Sequence, residues 1–278
     1  MPHVRSVSIL MPTYQGIEFL DRVLGALAIQ DGAPSWDLSV IDSGSTDGTC
    51  ELLEERRADF PVPLHLHRIH QVEFDHGDTR NLLAAWSEGE LLVFLTQDAI
   101  PAGPDWLARL AANFDDPEVG AAYCRNVPRP DAAPVTHLFS AGDLGYRATS
   151  ERVSLPEGHE QLDPHALRVL YNFNDVASAV RRSLWERHPF PRTWFGEDVL
   201  MARALLGAGQ TIVYDAEARV EHSHDYDVTE TYKRARIDGR FNAEWLGRVC
   251  VPDQGSVGAL VERLADEDAA AVARLGLD

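Results

Sequence analysis

The sequence predicts an α/β fold, a mostly parallel central sheet flanked by helices, forming one large domain with a C-terminal helical extension. Three observations predict it. Short runs rich in Val, Ile and Leu alternate with stretches whose apolar residues recur every three or four positions, the pattern of strands joined by helices. Polar clusters stand where those runs end or helices begin: PTYQG at 12–16, DSGSTDGT at 42–49, HGDTRN at 76–81, TQDA at 96–99, GED at 196–198 and HSH at 222–224. The length of 278 residues is enough to bury a substantial core. An open α/β sheet binds its ligand at the carboxyl ends of its strands, so these clusters describe one site assembled from distant segments.

The elements follow in order. Ser6–Met11 reads as the first strand, and the first helix starts near Gly16, because Phe19, Leu20, Val23, Leu24 and Leu27 share one face. Leu38–Ile41, Leu64–Ile69, Leu91–Leu95 and Val119–Cys124 read as further strands, with helices over Thr49–Arg57, Thr79–Ser87 and Pro104–Phe114. Alternation places His65 and His67 on the wetter side of their strand. From Asn126 to Tyr171 five prolines punctuate a stretch of little periodicity, the mark of a functional loop. Regularity returns at Ala177–Trp185, in a helix over Glu197–Leu206, and in strands at Thr211–Tyr214 and Arg219–Glu221. Leu260–Leu275 reads as a surface helix.

Composition narrows the function. The formal charge is −19 and Lys233 is the only lysine, so the chain lacks the basic footprint a nucleic-acid groove needs. Cys50, Cys124 and Cys250 have no metal-site spacing and suit reduced thiols. No run approaches the roughly 18 apolar residues of a membrane span, and the N-terminus enters a strand without a signal-peptide profile, so the expected location is the cytoplasm.

The clusters carry chemistry by position. Asp42 follows a strand, where its carboxylate can accept from a base or a ribose hydroxyl, and the turn from Ser43 to Gly48 supplies backbone N–H groups and caps. Asp98 is carried to the sheet rim by the apolar run Leu91–Leu95, a position suited to holding Mn2+ or Mg2+ against a pyrophosphate. His222 and His224, on alternate residues, are candidate metal ligands beside it. Glu197 and Asp198 open a helix, as capping acids or as a general base. Arg80 and Asn81 begin another helix, placed to meet phosphate or to cap. GxGxxG, GxxxxGK[ST] and GxSxG are all absent, which disfavours dinucleotide reductases, P-loop enzymes and serine hydrolases.

Taken together the motifs resemble the family 2 glycosyltransferases of the GT-A fold, over roughly Ser6 to Tyr232. The resemblance implies a GT-A domain over 1–227, with a nucleotide-sugar half (1–125) and an acceptor and catalytic half (126–227), then an extension over 228–278. It implies that Pro12, Thr13, Tyr14, Asp42 and Ser43 contact base and ribose, and that Arg80 and Asn81 lie near the diphosphate. The family's D-x-D stands here as Thr96-Gln97-Asp98, so Gln97 and Asp98 line the donor and Asp98, with His222 or His224, ligates the metal. Asp198, beside Glu197, is the implied base of an inverting displacement, and Trp194 and Phe195 shape the acceptor pocket. FDHGDTRN at 74–81, FLTQD at 94–98 and HSHDY at 222–226 are similar to the rhamnosyltransferase-like branch. That implies a dTDP-rhamnose, UDP-sugar or GDP-sugar donor and a glycan or lipid-linked acceptor. Arg234, Arg236, Arg240 and Arg248 give the C-terminal region the character a peripheral contact with anionic lipid at the inner membrane face would use. A retaining transferase and a catalytically silent sugar-nucleotide-binding relative stay open alternatives, separable by product stereochemistry and by donor hydrolysis.

The acidic, lysine-poor surface fits either high-salt adaptation or a codon bias toward Arg, Ala and Asp. Salt adaptation predicts a higher melting temperature in molar KCl than in dilute buffer, because screening relieves self-repulsion. Equal melting in both media leaves codon bias.

Overall fold

In a computed structural model, the structure describes residues 4–134, 136–137 and 146–249, with isolated residues of the tail between 258 and 273. Cys250 and most of the expected helix at Leu260–Leu275 lie outside the described residues. The sheet contains β1 (Ser6–Thr13), β2 (Ser35–Asp42), β3 (Leu64–Arg68), β4 (Leu91–Leu95), β5 (Ile100–Pro101), β6 (Val119–Val127), β7 (Glu151–Val153), β8 (Ala177–Arg181) and β9 (Thr211–Glu221). Its order is β3-β2-β1-β4-β8-β6-β9-β5, with β7 also paired to β9. Helices α1 (Ile17–Ala28), α2 (Thr49–Arg57), α3 (His76–Trp86), α4 (Trp106–Ala112), α5 (Pro164–Leu170), α6 (Arg182–Trp185), α7 (Glu197–Gly207) and α8 (Val228–Leu246) complete the described structure.

Period-2 alternation sorts the strands into two cores. Val7, Ile9 and Met11 of β1 and Leu91, Val93 and Leu95 of β4 pack with α1, α2 and α4, through Leu20, Leu24, Leu53 and Trp106. Leu10, Leu92 and Phe94 face the other way, onto Leu83 of α3, Leu184 of α6 and Met201 of α7. The sheet is therefore covered on both faces, which is why its central strands read as continuous apolar runs.

Parallel pairing holds for β3-β2-β1-β4 and for β6 with β9. Strand β8 runs antiparallel to both β4 and β6, and β5 and β7 run antiparallel to β9. The expected mostly parallel sheet is thus mixed beyond β4. The two short strands expected at 211–214 and 219–221 are one strand, whose register with β6 slips between Cys124 and Arg125, where Asp215 accepts from the N–H groups of Glu217 and Ala218. The stretch expected to be a loop contains β7 and α5. The cap of α5 was readable, since Asp163 accepts from His165 and Ala166 N–H and Pro164 stands at the first turn.

Helix α8 is anchored at its C-terminal half, where Phe241 is buried against Gly196 just ahead of α7. Gly196 has φ 73°, and a Cβ there would lie 2.4 Å from the Phe241 ring. Gly196→Ala therefore combines a left-handed backbone with a clash and should cost about 1 kcal/mol or more in backbone conformation, with overpacking adding about 1–3 kcal/mol. Gly207→Ala, in open space, is the matched control. Urea unfolding of both checks this: a Gly196→Ala midpoint at or above wild type contradicts it.

Candidate active site

The carboxyl ends of β1, β2, β4 and β9 and the amino end of β8 share one edge of the sheet, because β8 runs against its neighbours. Each polar cluster singled out above belongs to a turn at that edge or to a helix start facing it.

At β1 and β2 two turns are tied together. Asp42, 1% exposed, accepts at Oδ1 from Gly44 and Ser45 N–H (3.0 and 2.9 Å) and at Oδ2 from the Thr13 and Ser45 hydroxyls (3.0 and 2.5 Å). Burial pushes this carboxyl up, but the bonds from Ser45, Cys50 and Thr13 outweigh it and hold Asp42 below its ordinary value. The Ser43 hydroxyl donates to Thr13 O at 3.0 Å. Gln15 adopts φ 49° and exchanges hydrogen bonds with Thr46, donating to its hydroxyl and accepting from its N–H. Thr13, Asp42 and Ser43, expected as contacts to base and ribose, are tied in this structure to one another and to Gly44 and Ser45. Pro12 is half-buried opposite Ile41, while Tyr14 keeps an exposed ring.

Gln97 does not project outward either. Its amide oxygen accepts from Tyr14 N–H and its nitrogen donates to Tyr14 O, both at 2.9 Å, pinning the β4 turn to the β1 turn. The next residue, Asp98, approaches the histidines: Oδ2 lies 3.4 Å from His222 Nε2 and 3.7 Å from His224 Nε2. One ligand atom from each of the three lies within 4.8 Å of the others, the single such group among the described residues. Burial opposes ionisation of Asp98, but the hydrogen bond and charge of His222, with Thr96 and His224, hold it well below the carboxylate range. Burial, then the charge of His222, lowers His224, keeping it the neutral imidazole that metals bind. His224 also stacks on Tyr226, with ring centroids 5.1 Å apart. His222 Nδ1 is buried and has no hydrogen-bond partner among the described residues. An O,N,N donor set fits a divalent transition metal.

The third cluster surrounds Arg80. Its Nε lies 2.9 Å from Asp175 Oδ2, and its NH1 donates at 2.9 Å to both Glu197 Oε1 and His76 O. The side chains of Arg80, Asp175 and Glu197 are 5%, 9% and 10% exposed. Asp198, the next residue of α7, is partly accessible and accepts at Oδ1 from Val199 N–H. Burial, then the negative charge of Asp175, pushes Asp198 far above an ordinary aspartate, and the same causes with Asp198 itself raise Glu197. Arg80 and Asn81, expected near the diphosphate, meet protein groups in this structure. The Asn81 amide donates to Phe190 O and accepts from Trp185 Nε1 and Phe190 N–H, so it fastens the 185–190 segment. Asp175 was missed because its position depends on the unforeseen direction of β8; the only signal was Asn174-Asp175 immediately before a small apolar strand.

Trp194 and Phe195 stack on one another, centroids 6.1 Å apart, and both meet Phe241 edge-on. Arg240 lies over Trp194 at 4.7 Å and Arg234 over Phe195 at 4.8 Å. Trp194 remains 42% exposed, leaving an aromatic surface beside the α7 head.

Residues 8–175 match the model of glycosyl transferase family 2. The chain is 33% identical over 247 residues to the O-antigen chain rhamnosyltransferase RfbN of Salmonella typhimurium, covering 87% of this chain and 74% of RfbN. It is equally similar to the O-antigen chain rhamnosyltransferase WbaN of Salmonella anatum, over 87% and 75%. Among solved structures, the mannosyltransferase PcManGT of Pyrobaculum calidifontis, in complex with GDP-Man and Mn2+, superposes with TM-score 0.64 at 20% identity, over 99% of this chain and 76% of that one. S. aureus TarS 1–349 in complex with UDP-GlcNAc superposes with TM-score 0.59 at 20% identity, over 86% and 67%. These superpositions show the GT-A fold. The ordered turns at one sheet edge and the match over 8–175 agree: the chain is a glycosyltransferase and belongs to glycosyl transferase family 2.

Proposed function

We propose that this enzyme transfers a sugar, a deoxyhexose such as rhamnose, from a nucleotide diphosphate donor to a hydroxyl of a glycan or lipid-linked acceptor, with inversion at the anomeric carbon. The observation that carries the reading is the convergence of Asp98, His222 and His224 at the carboxyl edge of the sheet. The names of RfbN and WbaN support the choice of rhamnose.

Asp98, His222 and His224 would hold the cation. When bound, Mn2+ or Mg2+ neutralises charge on the departing diphosphate. The chain's own residues do the rest. Tyr14 presents its ring where the β1 turn opens, with its backbone held by Gln97. Asp198 takes the proton of the acceptor hydroxyl, and its raised pKa makes it a stronger base than an ordinary aspartate. Trp194 and Phe195 shape the acceptor pocket, Trp194 through its exposed surface. Among the described residues no helix is long and apolar enough to cross a membrane. A lipid-linked acceptor would therefore be met from the surface, on the side of Arg234 and Arg240.

Thermal-shift and turnover screening of dTDP-, UDP- and GDP-sugars with Mn2+ or Mg2+ tests this. One donor should bind and hydrolyse slowly. Asp98→Ala should lose the metal-dependent part of binding. Asp198→Asn should keep binding and lose turnover by about 10²–10⁴-fold. If no sugar nucleotide or nucleoside diphosphate shifts the protein, the donor site is misassigned.

Turnover should also fall as pH is lowered through a midpoint well above the ordinary aspartate value of 3.8, because only the ionised base accepts a proton and burial with Asp175 favours the protonated form. A kcat profile flat down to pH 5 removes Asp198 from the role.

A further inference from the structure

Arg80 stands in a segment where the family resemblance implies diphosphate contact, yet its guanidinium is buried and directed at carboxylates. Two of its nitrogens meet Asp175 and Glu197 at 2.9 Å, and the same NH1 reaches the carbonyl of His76 at the start of its own helix. Asp175 is tied to the metal-binding turn through the backbone: Val176 O accepts from Thr96 N–H at 2.9 Å, and Ala177 pairs with Leu95 at the end of β4. Glu197 is joined to Asp198 as consecutive residues of the first turn of α7. A continuous path thus runs from the Thr96–Asp98 turn through Asp175, Arg80 and Glu197 to Asp198. Every charged member of its middle section is at least nine-tenths buried.

We infer that Asp175 and Arg80 are a positioning pair: Asp175 holds the Arg80 guanidinium so that Arg80 in turn holds Glu197, fixing Asp198 relative to the Thr96–Asp98 turn across the cleft. In this arrangement Arg80 is engaged by Asp175, Glu197 and the carbonyl of His76. The inference rests on the transfer reaction proposed above and adds to it the device that keeps acceptor-side base and donor-side turn in register. A displacement of the order of 1 Å at such a base costs about 10²-fold in rate.

The same geometry gives Asp175 an electrostatic effect that a spacer would lack. Asp198 faces Asp175, Arg80 from α3 and Arg168 from α5, with Glu197 beside it on α7; His76 of α3, which faces Arg80, Asp175 and Arg234 of α8, completes the shell. Removing the charge of Asp175 while keeping its shape withdraws the anion that disfavours ionisation of Asp198 and Glu197.

Three variants of the full chain test the pair, with dTDP and Mn2+ as the binding probe and dTDP-rhamnose hydrolysis, water serving as acceptor, as the rate. Asp175→Ala should keep the wild-type dTDP affinity and lose turnover by about ten- to a hundredfold. Asp175→Asn keeps the shape of the side chain and a carbonyl oxygen beside Arg80 Nε without the charge. It should recover most of that turnover, with the acid limb of the kcat profile moved to lower pH. Arg80→Lys, which keeps a charge without the fork, should behave like Asp175→Ala. Wild-type turnover in Asp175→Ala overturns the pair, and so does loss of dTDP affinity with turnover retained in Arg80→Lys, which would place Arg80 on the diphosphate. If Asp175→Ala does not fold, 13C NMR titration of the side-chain carboxyls in Asp175→Asn decides: midpoints of Asp198 and Glu197 below wild type support the pair, and unmoved midpoints overturn it. Should the wild type hydrolyse no sugar nucleotide, the proposed function fails, while the NMR titration still reads the carboxylate network.

Discussion

The antiparallel course of β8 between β4 and β6 is the constraint on which the site depends. A parallel strand in that place would enter from the far edge, and the residues ahead of it would lie one sheet-length from the Thr96–Asp98 turn. Running backwards, β8 brings Asp175 beside Thr96 and leaves β6 and β9 parallel to each other, so that β9 ends at His222 on the same edge as Asp98. One reversed strand thus lets the turns after β1, β2 and β4 meet the head of α7 and the end of β9. Its small residues, Ala177, Ser178 and Ala179, are nearly fully buried and suit a strand covered on both faces.

Magnitudes explain why the head of α7 needs a cation. A helix N-terminus favours a carboxylate by about 0.3–1 kcal/mol. Burying an ionised group costs several kcal/mol. Glu197 and Asp198 at that end, with Asp175 opposite, exceed what the dipole offsets; Arg80 offsets part of the rest, and the remainder shows in the raised pKa of Glu197 and Asp198. Such a network contributes little net stability compared with a well-packed apolar replacement. Its value lies in direction: Arg80 NH1 donates to both Glu197 Oε1 and His76 O, and its Nε lies beside Asp175 Oδ2, which fixes geometry in a way that apolar contacts do not.

Legibility followed the range of the interactions. Local and periodic features were readable: Leu91–Leu95 has the expected bounds, the inward face of α1 is Leu20, Val23, Leu24 and Leu27, and α7 begins at Glu197. Asp98, His222 and His224 were grouped by pattern and are together in space. What could not be read was saturation. Whether Asp42 faces a ligand or its own turn depends on where Thr13 and Ser45 sit, and whether Arg80 meets phosphate depends on Asp175, 95 positions on in the chain. Asn81 likewise spends its amide on Phe190 and Trp185. Polar residues at a strand end announce a site, but only tertiary pairing tells which are spent on building it.

The seat of Phe241 bears on where this protein can be cut. By motif content the chain's clusters stop near Tyr226, and a fragment ending there would retain Asp98, His222, His224 and Asp198. It would also strip the cover from Gly196 and uncover the stacked faces of Trp194 and Phe195, opening an aromatic patch of the kind that drives self-association in truncated proteins. A fragment carried through Gly247, whose left-handed conformation closes α8, keeps that seat filled. A ring in α8, beyond the last chemical motif, thus covers the head of α7.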